Sequence, residues 1–179
     1  MKNSGVKRVT VCAAGLLLLL FFISCGYKFS GKEKVAGGIS ELNVFMFKNF
    51  TIENQVAPII TNDLINELSR AGITILNRFG ESGDKSVPAI SGTIKFISTE
   101  TISRINISSS NERRIMASVD VKLTGAGGKT LRLLENISEQ EDYKIYADKR
   151  HSENTRNNAI KILSKRLAEK IYLMLTEDF

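Results

Sequence analysis

The residue best suited to covalent chemistry in this sequence is Cys25, which comes directly after an apolar stretch. Three basic residues within the first eight positions precede fifteen mostly apolar residues, Val9 to Ile23. A basic start, an apolar run and a small residue form the anatomy of a secretory signal, and a membrane-spanning helix needs roughly 20 apolar residues. We therefore expect residues 1–24 to be removed as a signal peptide, which leaves Cys25 at the new amino terminus.

Ser24-Cys25-Gly26 resembles the lipobox of bacterial lipoproteins, in which the thiol is alkylated with diacylglycerol and the new amino group is acylated. Phe22 stands where that motif usually has Leu. The alternative is a soluble secreted protein, in which Cys25 would be a free thiol in an oxidising compartment. Cys12 lies inside the signal and would be removed with it, so the mature chain would have one cysteine and no internal disulfide. Acylation explains this single cysteine without a disulfide partner. By the sorting rules of such lipoproteins, Gly26 rather than Asp directs the protein to the outer membrane.

Length and charge set the size of the mature protein and the kind of partner it suits. Removing residues 1–24 leaves 155 of 179 residues, enough for one domain with a hydrophobic core. The formal charge of +6 falls to +3, because 22 basic and 19 acidic residues remain. This mild excess suits a partner with scattered phosphates, and we expect no nucleic acid. The polar, Gly-rich stretch SGKEKVAGG predicts an acylated terminus and tether over residues 25–38 and a single domain over residues 39–179.

Other residue groups that could perform chemistry are better explained without it. His151, the only histidine, would need Asp148 and Glu153 beside it for catalysis or metal binding, and a solvated residue at a helix start is the simpler interpretation. The glycines at 125–128 fail the P-loop and dinucleotide spacings and indicate a hairpin turn. The acidic run at 139–142 has no metal-loop spacing and is interpreted as a solvated strand edge. We expect no enzyme activity, no metal and no cofactor beyond the acyl groups on the lipobox cysteine.

Alternating and continuous apolar patterns predict the strands that must position any site. The clearest alternation runs from Ile115 to Leu123, where every second residue is apolar. The polar NISSSNE stretch before it predicts the tip of a long hairpin. The predicted strands cover residues 39–47, 73–76, 89–105, 113–125 and 130–147.

Two segments have helical periodicity instead. The first recurs from Val56 to Leu68, with Pro58 in its first turn and Gly72 as the residue after its end. The second begins with Ser152 as N-cap and continues nearly to the end. We predict an α+β fold in which both helices pack on one face of a twisted, mixed, mostly antiparallel sheet, as a two-layer sandwich. A membrane-surface helix is the alternative for either stripe.

The order β, α, β, long hairpin, β, α behind an acylated cysteine is similar to that of the lipopolysaccharide-assembly lipoprotein (LptE-like) family. CGYKF resembles the mature start of its members, ISGTIKF their glycine-containing strand, and the segment ending in LTEDF their closing helix. The sequence departs from the family at Arg113 and Arg114, where many members have an aromatic residue. It also has Leu131 or Leu133 where many have Trp.

The resemblance implies a subunit of the outer-membrane lipopolysaccharide translocon, anchored in the bilayer by its acyl chains and facing the periplasm and a barrel lumen. It would plug a large LptD-like β-barrel partner, 1:1, assist its assembly and contact lipopolysaccharide. An activator of a periplasmic cell-wall synthase is the alternative, but its usual long tether is missing. An anchored hydrolase would need a nucleophile elbow, and none is recognisable.

Within this resemblance, arginine and lysine residues beside turns are the candidates for lipopolysaccharide binding, since phosphates favour such donors. Arg104 and Lys149 match by position the basic residues that the family offers to the glycolipid. The alternative is that exposed basic residues beside loops only aid solubility. The full set of candidates is Arg104, Arg113, Arg114, Lys149 and Arg150.

Overall fold

The computed structural model describes Val35 and residues 38–80, 85–103 and 111–177, all within one compact unit, Lys32–Phe179. The predictions for the signal peptide, Cys25 and Arg104 lie outside these residues. The helices are α1 (Val56–Arg70) and α2 (Lys149–Thr176). The strands are β1 (Glu41–Phe45), β2 (Lys48–Asn49), β3 (Thr74–Gly80), β4 (Ala89–Ser103), β5 (Asn111–Thr124) and β6 (Thr130–Ile145).

These strands form one mixed sheet in the order β3-β1-β4-β5-β6, with β2 also paired to β4. Strand β1 runs parallel to both β3 and β4, whereas β4, β5 and β6 pair antiparallel over their long lengths. The predicted mixed, mostly antiparallel sheet is therefore confirmed. No helix in the described part of the chain combines the length and hydropathy needed to cross a membrane.

One face of the sheet carries both helices, as predicted. The alternating residues of β5 from Ile115 to Leu123 are at most 1% exposed and belong to the same apolar cluster as the helices. Because successive side chains of a strand point to opposite faces, this alternation makes the other face of β5 polar. The cluster includes, from the two helices, Ile60, Leu64, Leu68, Leu163, Leu167, Ile171 and Leu175.

The ends of the helices agree with the sequence in one case and correct it in the other. Helix α1 ends before Gly72, whose φ of +85° fits the predicted glycine beyond the helix end. The prediction of Ser152 as the N-cap of α2 is wrong, because Asp148 is the cap and accepts the Arg150 N–H at 3.0 Å. Ser152 instead lies inside the first turn, where its Oγ accepts the Tyr146 N–H at 2.8 Å. Asp148 can cap the helix because its carboxylate accepts an otherwise unpaired N–H of the first turn, and it comes three residues after β6 ends at Ile145.

Candidate functional site

The predicted basic residues that the structure describes gather at one end of the sheet, where β5 begins and β6 ends. Asn111 pairs with Ile145, and β4 reaches the same level because Ser103 pairs with Glu112. Helix α2 begins four positions after Ile145, so its first residues join this end of the sheet. We call it the basic end, and it comprises Arg113, Arg114, Lys149 and Arg150.

Arg114 is bound to Asp142 on the neighbouring strand. Its Nε and Nη2 donate to the two carboxylate oxygens of Asp142 at 2.7 and 2.9 Å. These hydrogen bonds hold the pKa of Asp142 below its ordinary value, although partial desolvation opposes the shift. The pair joins β5 to β6, and two of the guanidinium nitrogens of Arg114, Nε and Nη2, are already bound to a carboxylate.

The other three basic side chains are open to solvent. Lys149 is 91% exposed, and its Nζ is 3.9 Å from Glu153 Oε1, a distance at which the pair is weak in water. Arg113 and Arg150 are exposed, and neither has a carboxylate within 4.0 Å among the residues that the structure describes. Arg113 lies on the opposite face of β5 from Arg114, since adjacent residues of a strand alternate. These three cations can therefore bind a phosphate without first breaking an ion pair as strong as the one between Arg114 and Asp142.

His151 and the glycine turn have the structural roles expected from the sequence. The His151 ring lies edge-on to Tyr146, with 3.9 Å between the ring centroids and 61° between their planes. No cluster of His, Cys, Asp or Glu in the described ranges could hold a metal ion. Gly127 and Gly128 have φ of +82° and +79° in the turn between β5 and β6, which confirms the hairpin interpretation.

Residues 139–142 lie on β6, the edge strand of the sheet, as interpreted from the sequence, but two of their carboxylates are paired rather than only solvated. Glu139 binds Lys170 at 3.0 Å and Glu141 binds Arg166 at 2.5 Å, so both carboxylates attach α2 to β6. Their side chains are only 24% and 18% exposed. Sequence reasoning missed this role because the partners lie 31 and 25 positions away.

The helix-free face of the sheet carries a groove that the sequence did not predict. It has a volume of about 750 Å³, and Phe45 and Leu133 are among its apolar lining residues, with Ser91 and Thr93 of β4 between them. Asp120, which also lines the groove, accepts a salt bridge from Lys95 at 3.2 Å. Strand periodicity shows which residues alternate but not how side chains of separate strands are spaced, so the groove had no signal in the sequence.

Comparison with known proteins gives one family and several distant structures. A family model described as "LptE: Lipopolysaccharide-assembly" matches residues 39–175. No curated protein matches the sequence.

Three of the similar solved structures are lipoproteins. A minor lipoprotein from Acinetobacter baumannii is 12% identical, with a TM-score of 0.49 over 76% of this chain and 90% of the other. Rare lipoprotein B from Shewanella oneidensis is 11% identical, with a TM-score of 0.49 over 74% and 92%. Lipoprotein B from Nitrosomonas europaea is 15% identical, with a TM-score of 0.47 over 80% and 89%.

Proposed function

This chain belongs to the LptE family of lipopolysaccharide-assembly proteins, and on that premise we propose that it is the lipoprotein subunit of an outer-membrane lipopolysaccharide translocon. The observation that carries the proposal is the extent of the family match, which runs from Ile39 before β1 to Leu175 in the last turn of α2. The proposed role is structural rather than catalytic. The domain occupies the lumen of a large, LptD-like β-barrel in a 1:1 complex and assists its assembly.

The shape and surface of the domain support a role as a plug. A wide barrel encloses an aqueous lumen, so a protein inside it needs an exterior that is mostly polar around its own core. Here the helices cover one face of the sheet, and Ser91, Thr93, Asp120 and Lys122 line the groove on the other. We propose that acyl chains on Cys25 anchor the domain in the outer membrane, where a tether raises its effective concentration at the barrel.

The basic end supports contact with lipopolysaccharide. Phosphates of the glycolipid favour exposed Arg and Lys donors, and Arg113, Lys149 and Arg150 offer three of them. Arg104 directly follows the last residue of β4 and is proposed to join them. Arg114 has a smaller part in this proposal because Asp142 already occupies its guanidinium.

Co-purification tests the proposed complex. The full-length protein, extracted from its own membranes in mild detergent, should bring down a large β-barrel protein in a 1:1 ratio that survives gel filtration. Mass spectrometry of the band identifies the barrel. Recovery of the lipoprotein alone would contradict the proposed function.

The anchor is tested separately at the mature amino terminus. Mass spectrometry should find Cys25 as the first residue, carrying diacylglycerol and an N-linked acyl chain. The Cys25→Ala variant should remain an uncleaved precursor without these groups. A mature chain with an unmodified thiol at position 25 would refute the anchor while leaving the family membership unaffected.

A further inference from the structure

The loop between β2 and α1 holds the two most exposed large apolar side chains in the described part of the chain. Phe50 is 76% exposed and Ile52 is 94% exposed. We call this pair the apolar tip. We propose that the apolar tip is a docking element that inserts into an apolar pocket on the inner wall of the β-barrel partner, an inference that rests on the proposed function.

Hydrogen bonds make this loop rigid before any partner binds. The Asn49 Nδ2 donates to the Glu53 carbonyl at 3.0 Å, and the Asn49 Oδ1 accepts from the N–H and the hydroxyl of Thr51 at 2.9 and 2.8 Å. The Thr51 hydroxyl in turn accepts the Glu53 N–H at 3.2 Å. Because the loop is already ordered, docking costs less conformational entropy than it would for a flexible segment.

Two further bonds attach the loop to the rest of the fold. The Phe50 N–H donates to the Ile94 carbonyl of β4 at 3.2 Å. Glu53 forms a salt bridge with Arg156 of α2, with Oε1 and Nη2 2.5 Å apart. The tip is therefore held on both the sheet and a helix, yet the fold covers neither of its apolar side chains. Large apolar anchors that enter a partner's pocket carry most of the affinity of many protein interfaces.

The position of the tip separates it from the end where the chain enters the domain. Val35 is fully buried and pairs with Ile39 just before β1, only ten positions after Cys25. Strands β1 and β2 then run along β4 toward the tip, which places Phe50 roughly 25–30 Å from Ser40 at about 3.3 Å per residue.

The charge around the tip favours a protein pocket over a lipid surface. Residues 48–55 contain one basic and one acidic side chain, Lys48 and Glu53, and Glu53 is paired with Arg156. Loops that insert into anionic membranes usually carry several basic residues beside their apolar side chains. A neutral, rigid, apolar pair matches an uncharged pocket in the barrel wall.

The decisive comparison uses two matched double variants of the full-length protein, co-expressed with its barrel. Phe50→Ser/Ile52→Ser removes the tip, and Leu76→Ser/Leu173→Ser removes two other apolar side chains that are 53% and 54% exposed. The tip variant should lower the barrel recovered per lipoprotein at least about tenfold, with its Tm in detergent unchanged, while the control variant behaves as wild type. The inference is overturned if the tip variant recovers as much barrel protein as wild type does, or if both variants lose the same amount of barrel protein.

Photocrosslinking gives an independent readout. p-Benzoylphenylalanine in place of Ile52 should crosslink to the barrel, whereas the same residue in place of Leu173 should not. Crosslinks from position 52 to lipid, or loss of binding by the tip variant to phosphatidylglycerol vesicles with its barrel recovery intact, would make the bilayer the occupant and refute the inference. If the wild-type lipoprotein recovers no barrel protein, the proposed function itself is refuted. If the wild-type lipoprotein and the tip variant recover equal amounts of barrel protein, only the inference about the apolar tip is refuted and the proposed function stands.

Discussion

The ring of Phe47 lies directly against the backbone of Gly92 in β4. A Cβ atom added to Gly92 would be 2.3 Å from both Cε2 and Cζ of that ring, far inside van der Waals contact. Phe47 is 2% exposed and belongs to the core, so the ring has no free space to move into. The glycine in ISGTIKF is thus a packing requirement, since a glycine inside a strand often marks a close approach by another group.

Replacing Gly92 by Ala should destabilise the domain by about 1–3 kcal/mol through overpacking. In a domain of this size the loss corresponds to a Tm lower by roughly 3–10 °C, measurable by circular dichroism. The neighbouring Ser91→Ala change, on the opposite face of β4, is the control and should have little effect.

Shrinking the ring should relieve part of this strain. In a double-mutant cycle, Phe47→Leu should cost less stability in the Gly92→Ala background than in wild type. In that background the smaller side chain at position 47 removes the clash with the added Cβ atom. Additive effects of the two substitutions would contradict the contact as the cause.

Thr61 fixes the segment that carries Phe47 onto α1. Its hydroxyl accepts the Phe47 N–H at 3.1 Å and donates to the Ala57 carbonyl at 2.7 Å, at a position with no solvent exposure. Thr61→Val keeps the shape but leaves a buried N–H unpaired, so urea unfolding should show a loss of about 1–3 kcal/mol. Thr61→Ser keeps the hydroxyl and should lose less. A loss for Thr61→Ser that is equal to or larger than the loss for Thr61→Val would contradict the hydrogen bond as the main contribution of this side chain.

Ser164 on α2 is predicted to be a site where a smaller, apolar side chain preserves or raises the stability of the protein. Its hydroxyl is buried and has no hydrogen-bond partner in the described residues. Ser164→Ala removes the unpaired polar group and should leave stability equal or raise it by up to about 1 kcal/mol in urea unfolding. The reverse change at the neighbouring buried position, Ala168→Ser, should destabilise. A clear loss for Ser164→Ala would mean that the hydroxyl has a partner.

The Arg114–Asp142 pair should contribute stability only above the titration range of the carboxyl. The pKa of Asp142 is lowered in the folded protein relative to 3.8, so its contribution is present above that value and is lost as the pH falls through the folded pKa. Asp142→Asn should lower Tm by no more than about 3 °C at pH 7, because the pair is exposed. The difference from wild type should disappear under acid conditions, as followed by thermal melts from pH 7 to pH 2. A difference that persists after protonation would point to packing rather than charge.

The basic end should bind lipopolysaccharide through exposed charges at the start of α2. Lys149→Ala/Arg150→Ala in the full-length protein should weaken binding to purified lipopolysaccharide at least about tenfold at low salt. Lys161→Ala/Lys165→Ala removes the same charge from an exposed part of the same helix and serves as the control. The difference between these variants should shrink at high salt, because solvent-exposed charges are screened. Equal binding by both variants would remove the basic end from the proposal.

Much of the fold could be predicted because its signals lie between neighbouring residues. The alternation from Ile115 to Leu123 identified a half-buried strand, and Gly72 marked the end of α1. The start of α2 was misplaced by four residues because Asp148 and Ser152 are both plausible caps. Local sequence alone does not decide between two such caps, since the chain path from β6 determines which residue is the last extended one.

The site was predicted as a set of residues but not as an arrangement. Arg113 and Arg114 are adjacent and chemically alike, yet the pairing of β5 with β6 places Asp142 opposite Arg114 and leaves Arg113 open. The exposure of Phe50 and Ile52 could not be predicted either, because an apolar loop residue with the same neighbours in the sequence can be buried or exposed.

By itself the sequence determined the kinds of element, their order, the candidate lipidation cysteine and the resemblance to a family, because periodicity and short motifs depend on residues close together in the chain. Tertiary structure alone decided that Gly92 makes room for Phe47, that Asp142 occupies Arg114 and that the apolar tip lies far from the start of β1. These relationships join residues from separate segments, and only strand register and core packing bring such residues into contact.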